Sequence, residues 1–340
     1  MVSHTENEIL SQPDVWQSTI DRFDPTEVVS VWNSIQPHDV LVTGCGSTFY
    51  LSLTVASLLR NVVGISARGI PASELVLQLA PTLPTTDKTV LIAISRSGTT
   101  SETLAAVDRF KEFGGAGVVT VTNHPDSPLA QASDVVLGVP EGQEQSVAQT
   151  RSFSSMLLIA QMAIAGIAEI DIAPARALPG LAADLLEAAH NPMTDLASDV
   201  DLERFYFLGS DPLFGVASEG MLKLKEMSLT DSEAFHTLEF RHGPMSMVDP
   251  RAAVVGLFSE HGGALEAPVV HEAADLGART ITIGKNADLV IAGDLPGWAR
   301  PVLHLPPLQI LALERARSKG LDPDRPRNLV AVIELDGLGT

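Results

Sequence analysis

The chain has very little cysteine. Cys45 is alone among 340 residues, so no disulfide can form within the chain, and a reducing compartment is expected. Positive charge is also scarce: 22 Lys and Arg stand against 42 Asp and Glu, a formal net charge of −20. That balance argues against nucleic acid or an acidic membrane surface as a partner. Aromatic residues make up 5% of the chain. The longest uncharged apolar run, about Met156 to Ala168, is too short to span a bilayer. The start, Met1 to Leu10, is polar with Glu6 and Glu8 and has no leader pattern. A soluble, cytoplasmic protein is expected. Its 45% apolar content is enough for large cores, and its length suggests about two domains.

The most informative stretch is Val90 to Thr103. Five apolar residues, Val90 to Ile94, lead into Ser95-Arg96-Ser97-Gly98-Thr99-Thr100-Ser101 and then into a helical pattern from Leu104. An uninterrupted apolar run of strand length reads as a strand covered on both faces, as in a parallel sheet. The turn then lies at the carboxyl end of a strand and the amino end of a helix, where open α/β sheets bind ligands. Free amides and the helix dipole favour an anion there, phosphate above all. Ser95, Ser97, Thr99, Thr100, Ser101 and Thr103 contribute six hydroxyls. Thr99-x-x-Glu102 also fits a capping box, which needs no ligand.

The surrounding chain alternates strands and helices, which predicts parallel sheets with helices on both faces. Residues 1–37 carry helical patterns and read as a lead-in packed on the first domain. Asp39 to Thr48 is a strand ending in a Gly-rich turn, followed by a helix over Phe49 to Leu59. Gly44-x-Gly46 matches only part of a dinucleotide fingerprint, since the third glycine and the later acidic residue are missing. Ala67 to Leu79 reads as a short strand and helix, with Pro81 and Pro84 in the loop after it. Strands are expected at Ala116–Asn123 and Asp134–Val139, and an apolar helix over Met156–Ile170. Pro174, Pro179 and Gly180 mark a boundary near 172–180, and Leu181 to Ala189 is helical.

The second half repeats the first. Arg204–Asp211 matches Asp39–Ser47, Ala252–Gly262 matches Thr89–Thr99, and Thr280–Ile283 matches Val118–Val121, at offsets of about 165, 163 and 162. The second copy lacks the hydroxyl cluster, so one phosphate site, in the first half, is expected. A helix over Leu308–Ser318, a turn over Asp322–Leu329 and an apolar, strand-like tail over Val330–Leu335 close the chain. The divisions expected are a helical lead-in over 1–37, a phosphate-binding domain over 38–172, a second domain over 181–325 and a tail over 326–340.

Two further groups carry chemistry. Glu219, Lys223 and Glu226 fall on one stripe of a helix. Surface ion pairing explains such a stripe, but two of only six lysines lie in this helix, Lys223 and Lys225. His242 precedes Gly243-Pro244 in a loop and is a candidate acid or base, because imidazole titrates near neutral pH. A carboxylate and an imidazole near a phosphate turn suit proton transfer beside a sugar carbonyl.

These stretches resemble the sugar isomerase (SIS) domain family, most closely the isomerase domains of the glucosamine-6-phosphate synthases. The carriers are Cys45-Gly46-Ser47-Thr48, Ser95 to Thr100, Val147-Ala148-Gln149-Thr150, Glu219 to Glu226, Arg241 to Pro244 and Pro326 to Leu329. The resemblance implies two tandem flavodoxin-like subdomains, each a parallel sheet flanked by helices, a phosphosugar ligand, no metal, no cofactor and a homodimer with a shared active site. It implies substrate contacts at Cys45, Gly46, Ser47, Thr48, Ser95, Arg96, Ser97, Thr100, Val147 and Gln149. Of these, Thr48, Ser95, Ser97 and Thr100 stand at the family's phosphate ligands. It further implies that Glu226 moves the proton between C1 and C2, that His242 opens the ring, reaching in from the partner subunit, and that Lys223 assists near the sugar. Arg96 stands where the synthases have Gln, either adding a donor to the phosphate or pointing away. The glutaminase part is not present, residue 2 is Val rather than the Cys nucleophile, and Ala331 stands where the synthases have their imine-forming Lys. A phosphosugar aldose–ketose isomerase is therefore expected. An aminotransferase or deaminase of the group, and a catalytically silent phosphosugar sensor, are the alternatives.

Overall fold

The computed structural model describes residues 3–82, 88–260, 263–333 and 335. Three helices open the chain: α1 (His4–Leu10), α2 (Gln12–Arg22) and α3 (Thr26–Ile35). The first α/β run is β1 (Asp39–Gly44), α4 (Ser47–Leu58), β2 (Ser66–Pro71), α5 (Ala72–Thr82), β3 (Thr89–Ile94), α6 (Ser101–Glu112), β4 (Gly117–Thr122), α7 (Pro128–Gln131), β5 (Val135–Gly138) and α8 (Arg151–Ile167). The second is α9 (Leu178–Ser198), β6 (Arg204–Leu208), α10 (Pro212–Ser228), β7 (Asp231–Phe235), β8 (Ala252–Leu257), α11 (Gly263–Asp275), β9 (Arg279–Gly284), β10 (Leu289–Val290) and α12 (Leu305–Ser318).

These elements form two compact units, each built on a five-stranded parallel sheet. The first sheet runs β2-β1-β3-β4-β5 and the second β7-β6-β8-β9-β10, so the strand order is the same in both. Strand order reverses direction between β1 and β3, and again between β6 and β8. Crevices at such switch points are where open α/β sheets take ligands. The central strands β3 and β8 are buried at every position, as the uninterrupted apolar runs require. On one face of the first sheet Leu41, Leu91 and Ala93 pack with Leu75, Val107 and Phe110. In the second sheet Tyr206, Leu208 and Val254 pack with Phe240, Val269 and Ala273.

The repeat extends to single hydrogen bonds. Ser95 N–H donates to the Val121 carbonyl at 3.1 Å, and Phe258 N–H donates to that of Ile283 at 2.9 Å. Gly46 and Asp211 begin the two matching turns with nearly identical backbone angles, φ 56°, ψ −123° and φ 55°, ψ −125°. At the first copy the residue is Gly, for which that conformation is unstrained.

Several local expectations need correction. Of the lead-in, residues 3–13 group with the second unit and residues from Asp14 with the first. Residues 145–150 also group with the second unit. Helix α5 breaks at Gln78 (φ −139°, ψ 39°) and continues to Thr82, so Pro81 lies in its last turn rather than in a loop. Pro81 has no N–H to give to the Leu77 carbonyl, and the break absorbs that loss. Pro84, His261 and Gly262 lie outside the described residues. The tail from Val330 to Ile333 is not a strand. Its polar groups go to side chains instead: Arg96 Nη2 donates to the Ala331 carbonyl at 3.0 Å, and Leu335 N–H donates to Ser101 Oγ at 3.0 Å. Glu334 lies outside the described residues.

Candidate functional site

In the first unit two turns stand side by side at the switch point, because β1 and β3 are paired neighbours. The Cys45–Thr48 turn is closed by its own threonine. Thr48 Oγ1 accepts from Cys45 N–H at 2.9 Å and donates to the Cys45 carbonyl at 2.9 Å. Gly44 is required by this closure, since a Cβ there would come within 2.6 Å of the Thr48 backbone. Ser47 and Thr48 are buried and form the first turn of α4.

The Ser95–Thr100 turn folds around Ser95. Its Oγ accepts from Gly98 N–H at 3.1 Å and lies 3.4 Å from Thr100 Oγ1. Ser97 Oγ accepts from both the amide and the hydroxyl of Thr99, at 3.2 and 3.0 Å. The capping box expected at Thr99 does not form. Thr100 is the residue before α6, and its side chain makes no capping bond. Thr99 is engaged with Ser97 instead. Helix geometry leaves the first-turn amides without intrahelical acceptors, and the dipole adds partial positive charge. Gly98 has φ +66°, and a Cβ on it would fall 1.9 Å from Ser127 Oγ. The turn is therefore a cradle of hydroxyls and amides suited to an anion.

Arg96 is engaged with other groups of the protein. Its Nη1 lies 3.5 Å from Glu144 Oε2 and its Nη2 holds the Ala331 carbonyl, with the side chain only 11% exposed. Glu144, not singled out from the sequence, is buried and also accepts from the Ser152 amide at 3.1 Å and from its hydroxyl. Cys45 beside the turn is an ordinary thiol. Burial pushes its pKa up, against a weak contact at 3.6 Å to Thr103 Oγ1.

In the second unit α10 carries the other candidate group. The Glu219–Lys223–Glu226 stripe is not a solvated ion-pair face. Lys223 is 1% exposed, with Nζ 3.3 Å from Glu219 Oε1 and 2.5 Å from Glu226 Oε2. The side chain of Glu219 is 1% exposed and that of Glu226 19%, so Glu226 is the end that reaches outward. Burial opposes the charge on Lys223, but the flanking carboxylates outweigh it and hold the ammonium pKa above its usual value. Breaking such a buried pair from one side costs about 3–5 kcal/mol. Gly220 lets α12 come close, because a Cβ there would meet Leu308 at 2.8 Å.

Val147 and Gln149 belong to this second unit. Val147 N–H donates to the Asp324 carbonyl at 3.1 Å. Gln149 Oε1 is buried with no hydrogen-bond partner. An orphaned acceptor of that kind marks a place where a donor is missing. His242 is exposed at the end of the short 3₁₀ turn Leu238–Arg241. Among the described residues no hydrogen bond or ion pair joins its ring to Glu226. Among the described residues no group of three or more His, Cys, Asp or Glu could hold a metal ion, and no helix is long and apolar enough to cross a membrane.

Comparison with known proteins gives a consistent result. A family model described as the SIS domain matches residues 35–166. The glutamine–fructose-6-phosphate aminotransferase of Pyrobaculum aerophilum is 33% identical over 97% of this chain and 57% of its own length. The chain thus spans little more than half the length of the curated relatives it matches. The structure of the C-terminal domain of the Francisella tularensis aminotransferase has the same fold, with a TM-score of 0.82, 22% identity and coverage of 96% and 99%. The structure of glucosamine-6-phosphate deaminase from Thermotoga maritima is 31% identical with a TM-score of 0.87, covering 98% of this chain and all of that one. Sequence identity at that level along two whole chains of one fold settles the family: the chain belongs to the SIS-domain family, as a phosphosugar-isomerase fold similar to the isomerase domain of glutamine–fructose-6-phosphate aminotransferase.

Proposed function

We propose that the protein is an isomerase acting on a hexose or amino-hexose 6-phosphate by aldose–ketose proton transfer. The observation that carries this reading is the buried Glu219–Lys223–Glu226 group, with its one outward carboxylate at Glu226. Carboxylates suit enediol chemistry because they take a proton from one carbon and return it to the next without a cofactor. Lys223 holds that carboxylate in one geometry. The Ser95–Thr100 cradle, with Thr48 beside it, receives the phosphate through Ser95, Ser97, Thr100 and the first amides of α6. Cys45, Gly46, Ser47, Val147 and Gln149 contact the sugar. His242 opens the ring, and its exposure supports delivery to the site of a second subunit in a homodimer. Arg96 binds the tail rather than the phosphate.

A deaminase reading is favoured by the 31% identity to the Thermotoga deaminase. The same proton transfer in glucosamine 6-phosphate would give the ketose imine, which water converts to fructose 6-phosphate and ammonia. Transfer through a lysine imine at the tail is not part of either reading, since Ala331 stands in that place. The test is NMR of the protein with fructose, glucose and glucosamine 6-phosphates in deuterated water. Deuterium at C1 or C2 is the expected result, and the product separates isomerase from deaminase. Saturable binding of all three without exchange would instead make the protein a sensor.

A further inference from the structure

The segment 145–150 carries two of the residues assigned above to the sugar, Val147 and Gln149, yet it has no regular structure of its own. Something outside it must set its backbone. One side chain accepts three hydrogen bonds from the segment. Glu8, near the end of α1, is 3% exposed. Its Oε1 accepts from Gln145 N–H at 2.6 Å and from Ser146 N–H at 3.3 Å, and its Oε2 accepts from the Ser146 hydroxyl. Among the described residues it has no ion-pair partner. A carboxylate in the last turn of a helix opposes the dipole, and a buried one without a cation is costly. Among the described residues, the amides and hydroxyl of the segment are what compensate it.

The rest of the second unit braces the clamp. Asp324 caps α1, accepting from His4 N–H at 2.9 Å, Thr5 N–H at 2.8 Å and the Thr5 hydroxyl at 2.7 Å. The Asp324 carbonyl takes Val147 N–H. Gln309 Nε2 on α12 donates to the Thr150 carbonyl at 3.1 Å. The segment is therefore held at 145–146 by Glu8, at 147 by Asp324 and at 150 by Gln309. Only the first of these holds is a side-chain carboxylate buried for no other visible purpose.

We propose that Glu8 is a positioning residue for the reaction: its carboxylate fixes the backbone of 145–147 so that Val147 and Gln149 meet the sugar. The proposal rests on the functional reading above. A glutamine can keep the clamp, with its Oε1 accepting the two amides and its Nε2 donating to Ser146 Oγ. An alanine cannot.

The test compares Glu8→Ala, Glu8→Gln and a control, Ile9→Ala, which empties a buried site on the same helix without touching the clamp. Two readouts are taken: hydrogen exchange of the 145–147 amides, and KM and kcat with the active sugar phosphate. Glu8→Ala is expected to release the 145–147 amides and raise KM about tenfold or more, with kcat changed less. Glu8→Gln restores both to within about threefold. Ile9→Ala lowers stability and leaves KM unchanged. A folded Glu8→Ala protein with wild-type KM, or an Ile9→Ala protein with an equal rise in KM, would overturn the positioning role. If the wild-type protein turns over none of the three sugars, the functional reading fails, and exchange alone decides the clamp. Equal protection of 145–147 in wild type and Glu8→Ala would then refute it.

Discussion

The two halves share a strand order, and they share the hydrogen bond that leads into the central turn, yet they fill that turn differently. In the first half Ser95–Thr100 presents hydroxyls and the open amides of α6. In the second half the matching place is taken by the protein's own anion. Glu266, buried in the first turn of α11, accepts from Ser259 N–H at 2.8 Å and from its hydroxyl at 3.2 Å. In our reading the first copy keeps this place for the phosphate, whereas the second fills it with the Glu266 carboxylate. Backbone geometry at such a switch point favours an anion, and in this chain only the second copy supplies one from its own side chains among the described residues.

The comparison can be broken most directly at the head of each helix. Gly98→Ala places a methyl on a residue with φ +66° and against Ser127, whereas Gly263→Ala meets nothing. The first is expected to cost about 2–4 kcal/mol and to weaken phosphosugar binding at least about tenfold. The second leaves both unchanged, by urea unfolding and calorimetric titration. Next, Glu266→Ala removes the built-in anion. It is expected to cost about 1–3 kcal/mol while leaving phosphosugar affinity at the wild-type value. A gain of affinity there would mean that the vacated second turn takes the phosphate as well, against the one-site reading.

Acid should also separate the halves. Burial pushes the His304 imidazole down to about 4 in the second half, while His38 and His124 of the first are exposed. The folded state keeps His304 neutral and the unfolded chain protonates near 6.5, so the unfolded state binds more protons between those values. Stability of the second half therefore falls as pH drops from about 6.5 to 4, by roughly 3 kcal/mol at most. Faster hydrogen exchange along α12 at pH 4.5 than at pH 7, after correction for intrinsic rates, checks this, and His304→Leu should flatten it. A small effect, above only that of Gly263→Ala, is expected at Gly46→Ala. Its Cβ meets open space, so the cost is torsional alone, about 1–2 kcal/mol by thermal unfolding.

What could be read from the sequence follows the range of the interaction. The apolar runs, the Gly-rich and hydroxyl-rich turns and the near-constant offset between halves are local patterns, and they placed both sheets and the turn between β3 and α6 correctly. The helix stripe Glu219–Lys223–Glu226 was legible as a stripe, but not as buried, because its burial depends on tertiary packing that no local spacing encodes. The clamps were not legible. Glu8 reaches a segment 137 residues away and Arg96 a carbonyl 235 residues away. No spacing rule links such positions. The same distance explains the tail: its apolar pattern reads as a strand, but Arg96 and Ser101 take its polar groups instead.

The central claim is that Glu226 moves the proton while the first-half cradle holds the phosphate. Glu226→Gln keeps the size of the side chain and removes its basicity. Deuterium incorporation at C1 or C2 of the active sugar phosphate, measured beside calorimetric binding, tests the claim in one variant. Exchange lower by about a thousandfold or more, with Kd within about threefold of wild type, is the expected result. Exchange at the wild-type rate in Glu226→Gln would contradict it.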